Sequence, residues 1–120
     1  MARILIADDD KASLEFVRRA LQQDGHQVAA VEDGSEALAT LTGSPGQFDL
    51  LVTDISMPGL DGISLAQKLA AATPALDVLL MSGLTSELER AKGLGGRIRT
   101  LPKPFTLEQI RDEVRKILAG

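Results

Sequence analysis

Five short apolar runs, each about one strand long, punctuate this chain, and the stretches between them carry apolar residues at helical spacing. The runs are Arg3 to Ala7, Gln27 to Val31, Leu50 to Asp54, Asp77 to Met81 and Arg97 to Leu101. Most are nearly continuous in apolar residues, so they need cover on both faces, which a parallel sheet flanked by helices provides. Strand and helix alternate throughout, as in repeated βαβ units. The predicted fold class is α/β: a doubly wound, five-stranded parallel sheet with five helices, forming one domain over residues 1–120. A hydrophobic content of 44% in 120 residues suits a single core of that size.

Leu14, Val17 and Leu21 form an apolar stripe in the first helix, and Leu107, Ile110, Val114 and Ile117 form one in the last. Asp33 with Glu36, Ser86 with Glu89, and Thr106 with Gln109 match capping pairs that place helix starts after the second, fourth and fifth strands. Gly43-Ser44-Pro45-Gly46 is expected as a turn and Pro58-Gly59 as a tight loop. No repeat, low-complexity tract or charged tail is present, and the expectation is a stand-alone domain with no output domain attached.

Several function classes are disfavoured at once. The chain has no cysteine, which rules out disulfides and thiolate metal sites. No apolar stretch approaches the roughly 20 residues of a membrane span, and Met1 leads into a strand instead of a signal segment. A cytoplasmic protein without membrane contact is expected. A formal charge of −4 repels phosphate backbones, and the absence of Trp and Tyr removes base-stacking platforms, so no nucleic-acid partner is expected.

Charged residues stand where three of the strands end. Asp8-Asp9-Asp10 follows the first, Asp54 ends the third, and Lys103-Pro104 follows the fifth. In an open parallel sheet these ends share one rim, outside which ligands bind. Asp8, Asp9 and Asp54 on that rim repel one another unless a hard cation joins them, and Mg2+ is the expected cofactor because it prefers oxygen ligands. Asp54, alone at its strand end, is the candidate nucleophile toward a phosphoryl donor, giving an acyl phosphate, with Lys103 and the metal neutralising charge. Ser82, ending the fourth strand, supplies a hydroxyl. Plainer roles fit the rest: Asp10 as a solvated or helix-capping charge, His26 as a surface residue, Asp61 and Gly62 at the entry to the third helix, and Met57 and Met81 as packing.

Ile6-Ala7-Asp8-Asp9, Thr53-Asp54-Ile55-Ser56-Met57-Pro58-Gly59-Leu60-Asp61-Gly62, Met81-Ser82-Gly83 and Leu101-Pro102-Lys103-Pro104-Phe105 together resemble the receiver domain of two-component response regulators, a bacterial signalling family. The resemblance spans the whole chain. It implies a flavodoxin-like strand order, 2-1-3-4-5. It implies Asp54 as phosphoacceptor, Asp8, Asp9 and Asp54 with the Ser56 main-chain carbonyl as metal ligands, and Ser82 and Lys103 as the groups that bind the phosphoryl. A cis bond between Lys103 and Pro104 is also implied. The expected partners are a histidine kinase or histidine phosphotransfer protein and an output protein, the chain being a monomer or weak dimer and not itself an enzyme.

Departures from the family pattern carry their own expectations. Thr100 stands where many receivers have Tyr or Phe, so an aromatic rotamer switch is absent. Gly83, Gly93, Gly95 and Gly96 bracket the short fourth helix, which is expected to be mobile because glycine lowers helix propensity by about 1 kcal/mol relative to alanine. Ser56 and Leu84, at positions that in the family govern the hydrolytic water, are neither acid nor amide, and this implies slow self-dephosphorylation. Met1 to Leu5 and Phe48 to Gly62 are similar to single-domain receivers that serve as adaptors priming an ATP-dependent protease. The expected contact face is the fourth helix, fifth strand and fifth helix, with exposed charges Glu108, Arg111, Asp112, Arg115 and Lys116. Two alternatives stand beside this. One is a magnesium-dependent phosphatase with Asp8 as nucleophile and Asp10 as general acid, although such enzymes need a longer chain and a cap. The other is a constitutive pseudo-receiver, against which the complete acid, hydroxyl and lysine set argues.

Overall fold

A computed structural model describes all of residues 1–120. Its elements run β1 (Arg3–Ala7), α1 (Lys11–Gln23), β2 (Gln27–Val31), α2 (Gly34–Gly43), β3 (Leu50–Asp54), α3 (Gly62–Ala72), β4 (Asp77–Ser82), α4 (Thr85–Lys92), β5 (Ile98–Pro102) and α5 (Leu107–Ala119). The five strands form one sheet in the order β2-β1-β3-β4-β5, every neighbouring pair parallel. The expected α/β architecture and strand order are both present.

Side chains alternate across the sheet, and each face has its own core. Leu5, Ala7, Leu51, Val78 and Leu80 point to the side covered by α2, α3 and α4, where they meet Leu41, Leu65 and Leu69. Ile4, Ile6, Leu50, Val52, Leu79 and Met81 point to the side covered by α1 and α5, against Leu14, Val17, Leu21, Ile110, Val114 and Ile117. Central β1 and β3 are almost wholly buried, while edge strands β2 and β5 alternate with exposed residues. Burial of that kind contributes roughly 1.5–3 kcal/mol for each large aliphatic side chain. Leu107, expected in the α5 stripe, is only partly buried because it lies in the first helical residue, at the margin of the core.

Helix starts follow short polar side chains. Asp10 accepts from Ala12 N–H, Asp33 from Glu36 N–H and Asp61 from Ser64 N–H, while Thr106 and Gln109 form a reciprocal capping box. The Ser86 and Glu89 pair is a correction. α4 begins earlier, at Thr85, and its N-cap residue Leu84 offers no capping side chain. The Leu84 N–H is instead bound at 3.0 Å by the hydroxyl of Ser82, two residues upstream. Strand bounds also shift slightly, since β4 extends through Ser82 and β5 starts at Ile98, where the ladder with β4 begins.

Two further sequence expectations give way to tertiary contacts. Arg111 is half-buried, and with Arg115 it turns toward Asp24 at the end of α1, the Arg115 Nε lying 2.8 Å from the carboxylate. These arginines tie α5 to α1; of the expected pairs along α5, Arg115 with Asp112 is formed at 3.2 Å. His26 is half-buried too, its Nδ1 accepting the Ala2 N–H at 3.2 Å. No helix is long and apolar enough to cross a membrane.

Candidate functional site

The carboxyl ends of β1, β3, β4 and β5 open onto one rim. Asp8 follows β1 directly and is buried, with its Oδ1 accepting the Asp10 N–H at 3.0 Å and its own N–H reaching the Val31 carbonyl at 3.2 Å. Asp54 closes β3, in register with Met81 of β4, and its side chain is 13% exposed. Thr53 next to it donates its hydroxyl to the Asp54 carbonyl oxygen at 2.9 Å, which holds the strand end. The turn beyond packs tightly because Gly62 lacks a side chain: a Cβ there falls 2.5 Å from the Asp54 carbonyl oxygen and 2.8 Å from Ile55 Cα. The Gly62 N–H meets the Ile55 carbonyl oxygen at 2.8 Å, closing the loop from Asp54 to α3.

Lys103 arrives from β5. Its N–H donates to the Ser82 carbonyl oxygen at 2.8 Å and the Lys103-Pro104 bond is cis. The ammonium Nζ lies 2.9 Å from Asp54 Oδ1 and 3.5 Å from Asp8 Oδ2, with the Ser13 hydroxyl at 3.3 Å. Residues separated by nearly the whole chain thus meet around one cation. Carboxylate oxygens of Asp8, Asp9 and Asp54 all lie within 4.8 Å of one another, Asp9 being the exposed member.

Burial pushes the Asp54 carboxyl above its ordinary range; contact with Lys103 opposes this, and the neighbouring charges of Asp8 and Asp9 add to it. For Lys103, burial works against the charge, yet the contacts with Asp54 and Asp8 prevail and its pKa is raised. Three carboxylates face a single ammonium, which leaves the rim short of positive charge. That donor set fits a hard divalent cation, which Asp8, Asp9 and Asp54 could hold. The Ser56 main-chain carbonyl, two residues beyond Asp54 on an exposed residue, accepts no hydrogen bond from the rest of the chain.

Ser82 reaches the rim as expected, but its hydroxyl is engaged. It donates to Glu87 Oε1 at 2.6 Å and accepts from Leu84 N–H at 3.0 Å. Asp10 is turned away to cap α1. Two residues at the rim escape a sequence reading, Ser13 against Lys103 and Glu87 against Ser82. Their only local signals are positions in the first turns of α1 and α4.

The profile of the response regulator receiver domain family matches residues 4–115. The chain belongs to this family. Among relatives of the receiver domain, response regulator MprA of Mycobacterium avium (strain 104) is 38% identical over 117 residues, which cover 97% of the chain and 50% of MprA. The chain thus spans about half the length of the curated relatives it matches. The chemotaxis response regulator CheY4 of Vibrio cholerae superposes with a TM-score of 0.84 at 26% identity, covering 98% of each chain. The receiver domain of a signal transduction histidine kinase from Syntrophus aciditrophicus gives 0.87 at 26% identity, over 100% of this chain and 92% of that one. Receiver domains therefore match along nearly the whole length of the chain.

Proposed function

We propose that this receiver domain accepts a phosphoryl group on Asp54 from a phosphohistidine of a histidine kinase or phosphotransfer protein, and that it acts as a signalling acceptor with no external substrate of its own. The observation that carries this role is the 2.9 Å contact between Lys103 Nζ and a buried Asp54 carboxylate at the rim. An Asp54 oxygen attacks phosphorus, the bond from phosphorus to the donor imidazole nitrogen breaks, and that nitrogen keeps the electron pair. Lys103 lies where it can neutralise the incoming phosphoryl oxygens. Asp8, Asp9, Asp54 and the Ser56 carbonyl would hold Mg2+, which supplies charge neutralisation to the same group. The burial of Asp54 limits the approach of water to the acyl bond.

The phosphatase alternative needs Asp10 as a general acid, and Asp10 is occupied as the N-cap of α1. Beryllofluoride with magnesium, a mimic of the acyl phosphate, is the decisive probe. Amide spectra of the native protein are expected to shift on adding both, and those of Asp54→Asn to remain unchanged. Covalent labelling that survives Asp54→Asn but is abolished by Asp8→Asn would overturn the role.

With Ser56 and Leu84, at the positions that in receiver domains govern the hydrolytic water, both exposed and neither able to act as a base, the acyl phosphate is expected to persist for minutes or longer. Loss of radiolabel from the isolated phosphoprotein measures this directly. A half-life of seconds contradicts it.

A further inference from the structure

Ser82 is 2% exposed and ends β4, one residue beyond the Met81 that pairs with Asp54. A serine hydroxyl carries one proton. Here that proton is given to Glu87 Oε1, at 2.6 Å, in the first turn of α4. The oxygen of the same hydroxyl takes the Leu84 N–H, so both hydrogen bonds draw the start of α4 onto the rim. Leu84 provides no side-chain cap, and Ala91 is the only fully buried residue of the helix. Bonds to a charged acceptor are stronger than those between neutral groups, so the Ser82–Glu87 contact is the principal polar tie between α4 and the site.

We propose that Glu87 is a latch that competes with the Asp54 phosphoryl group for the Ser82 hydroxyl. In the resting protein Glu87 accepts the hydrogen bond from the Ser82 hydroxyl and α4 is seated. When the acyl phosphate is present, its oxygen takes the hydrogen bond, Glu87 is released and the first turn of α4 loosens. No covalent bond changes in this exchange. Because coupling is reciprocal, the latch also weakens binding of a phosphoryl mimic by the same factor with which the mimic loosens the helix. Glu87 is then a positioning residue acting through Ser82. Thr100 on β5 offers no aromatic ring to transmit a movement of Ser82, so in this chain α4 itself is the element that responds. The inference rests on the phosphoacceptor role of Asp54.

The test is a double-mutant cycle on beryllofluoride affinity in the presence of magnesium, with hydrogen exchange of α4 amides as a second readout. Glu87→Ala is expected to tighten binding by about three- to tenfold, the scale of one net intramolecular hydrogen bond at a half-exposed site. In a Ser82→Ala background the same substitution is expected to change nothing, because there is no hydroxyl left to compete for. Beryllofluoride should also speed α4 exchange in the native protein and have no further effect on α4 in Glu87→Ala. Equal tightening in both backgrounds would assign the effect to charge repulsion and overturn the latch, as would unchanged affinity in Glu87→Ala. Failure of the native protein to bind beryllofluoride at all would overturn the role of Asp54, and the latch with it.

Discussion

At the residue scale, the rim is an imbalance of charge. Lys103 is the only ammonium in contact with Asp54 and Asp8, so Lys103→Ala removes the one fixed positive charge there. Acceptance of phosphoryl groups is expected to slow by roughly a hundredfold, as when one electrostatic donor to a transition state is deleted; label incorporation over time measures it. His26 carries a different expectation. Burial lowers its pKa, and its Nδ1 must stay unprotonated to accept the Ala2 N–H. The unfolded chain therefore binds the proton more readily, so the contribution of His26 is complete above the unfolded value, about pH 6.5, and is lost as pH falls toward the lower folded value. Denaturant unfolding between pH 7 and 5 should show that slope, and His26→Gln should flatten it. The charged residues at strand ends were legible because charge after an apolar run is a local signal. The hydrogen bond that Ser82 donates to Glu87 was not, since it depends on how α4 is seated.

At the element scale, α4 differs from the other helices. It spans eight residues, lacks a side-chain cap, and is followed by Gly95 and Gly96, both at positive φ. Those glycines suit the left-handed turn into β5, where a side chain is strained. Amides of α4 are expected to exchange faster than those of β1, β3 and β4; protection equal to the sheet would refute this mobility. The loop from β3 to α3 is the opposite case, closed by backbone contact. Gly62→Ala places a methyl against the Asp54 carbonyl and Ile55, and a loss of roughly 1–3 kcal/mol is expected in chemical denaturation, together with weaker beryllofluoride binding. The Asp33, Asp61 and Thr106 starts were legible from residue type because caps are satisfied within three residues. The α4 start was misplaced because its partner, Ser82, belongs to the preceding strand.

At the scale of the whole molecule, two cores share one sheet, and the charged clasp of Asp24 with Arg111 and Arg115 joins α1 to α5 over one of them. The hydrogen bond from Arg115 is the main cause that holds the Asp24 carboxyl below its usual range, against the opposing effect of burial. A lowered folded value means that this contribution is present above the ordinary carboxylate range and disappears as pH falls through the folded value. Asp24→Asn is thus expected to lower Tm by a few degrees at neutral pH, with the gap to the native protein closing in strong acid. Thermal melts at a series of pH values measure that gap.

The alternation of strands and helices, the two-sided burial of β1 and β3, and the identity of the rim residues can be read from the residues alone, because apolar period and side-chain chemistry are written locally. Which donor meets which acceptor emerges with folding: Lys103 between Asp54 and Asp8, Ser82 with Glu87, Arg115 with Asp24, Ala2 with His26. Such pairings join residues brought together by packing, and a hydrogen bond acts over about 3 Å whatever the separation along the chain.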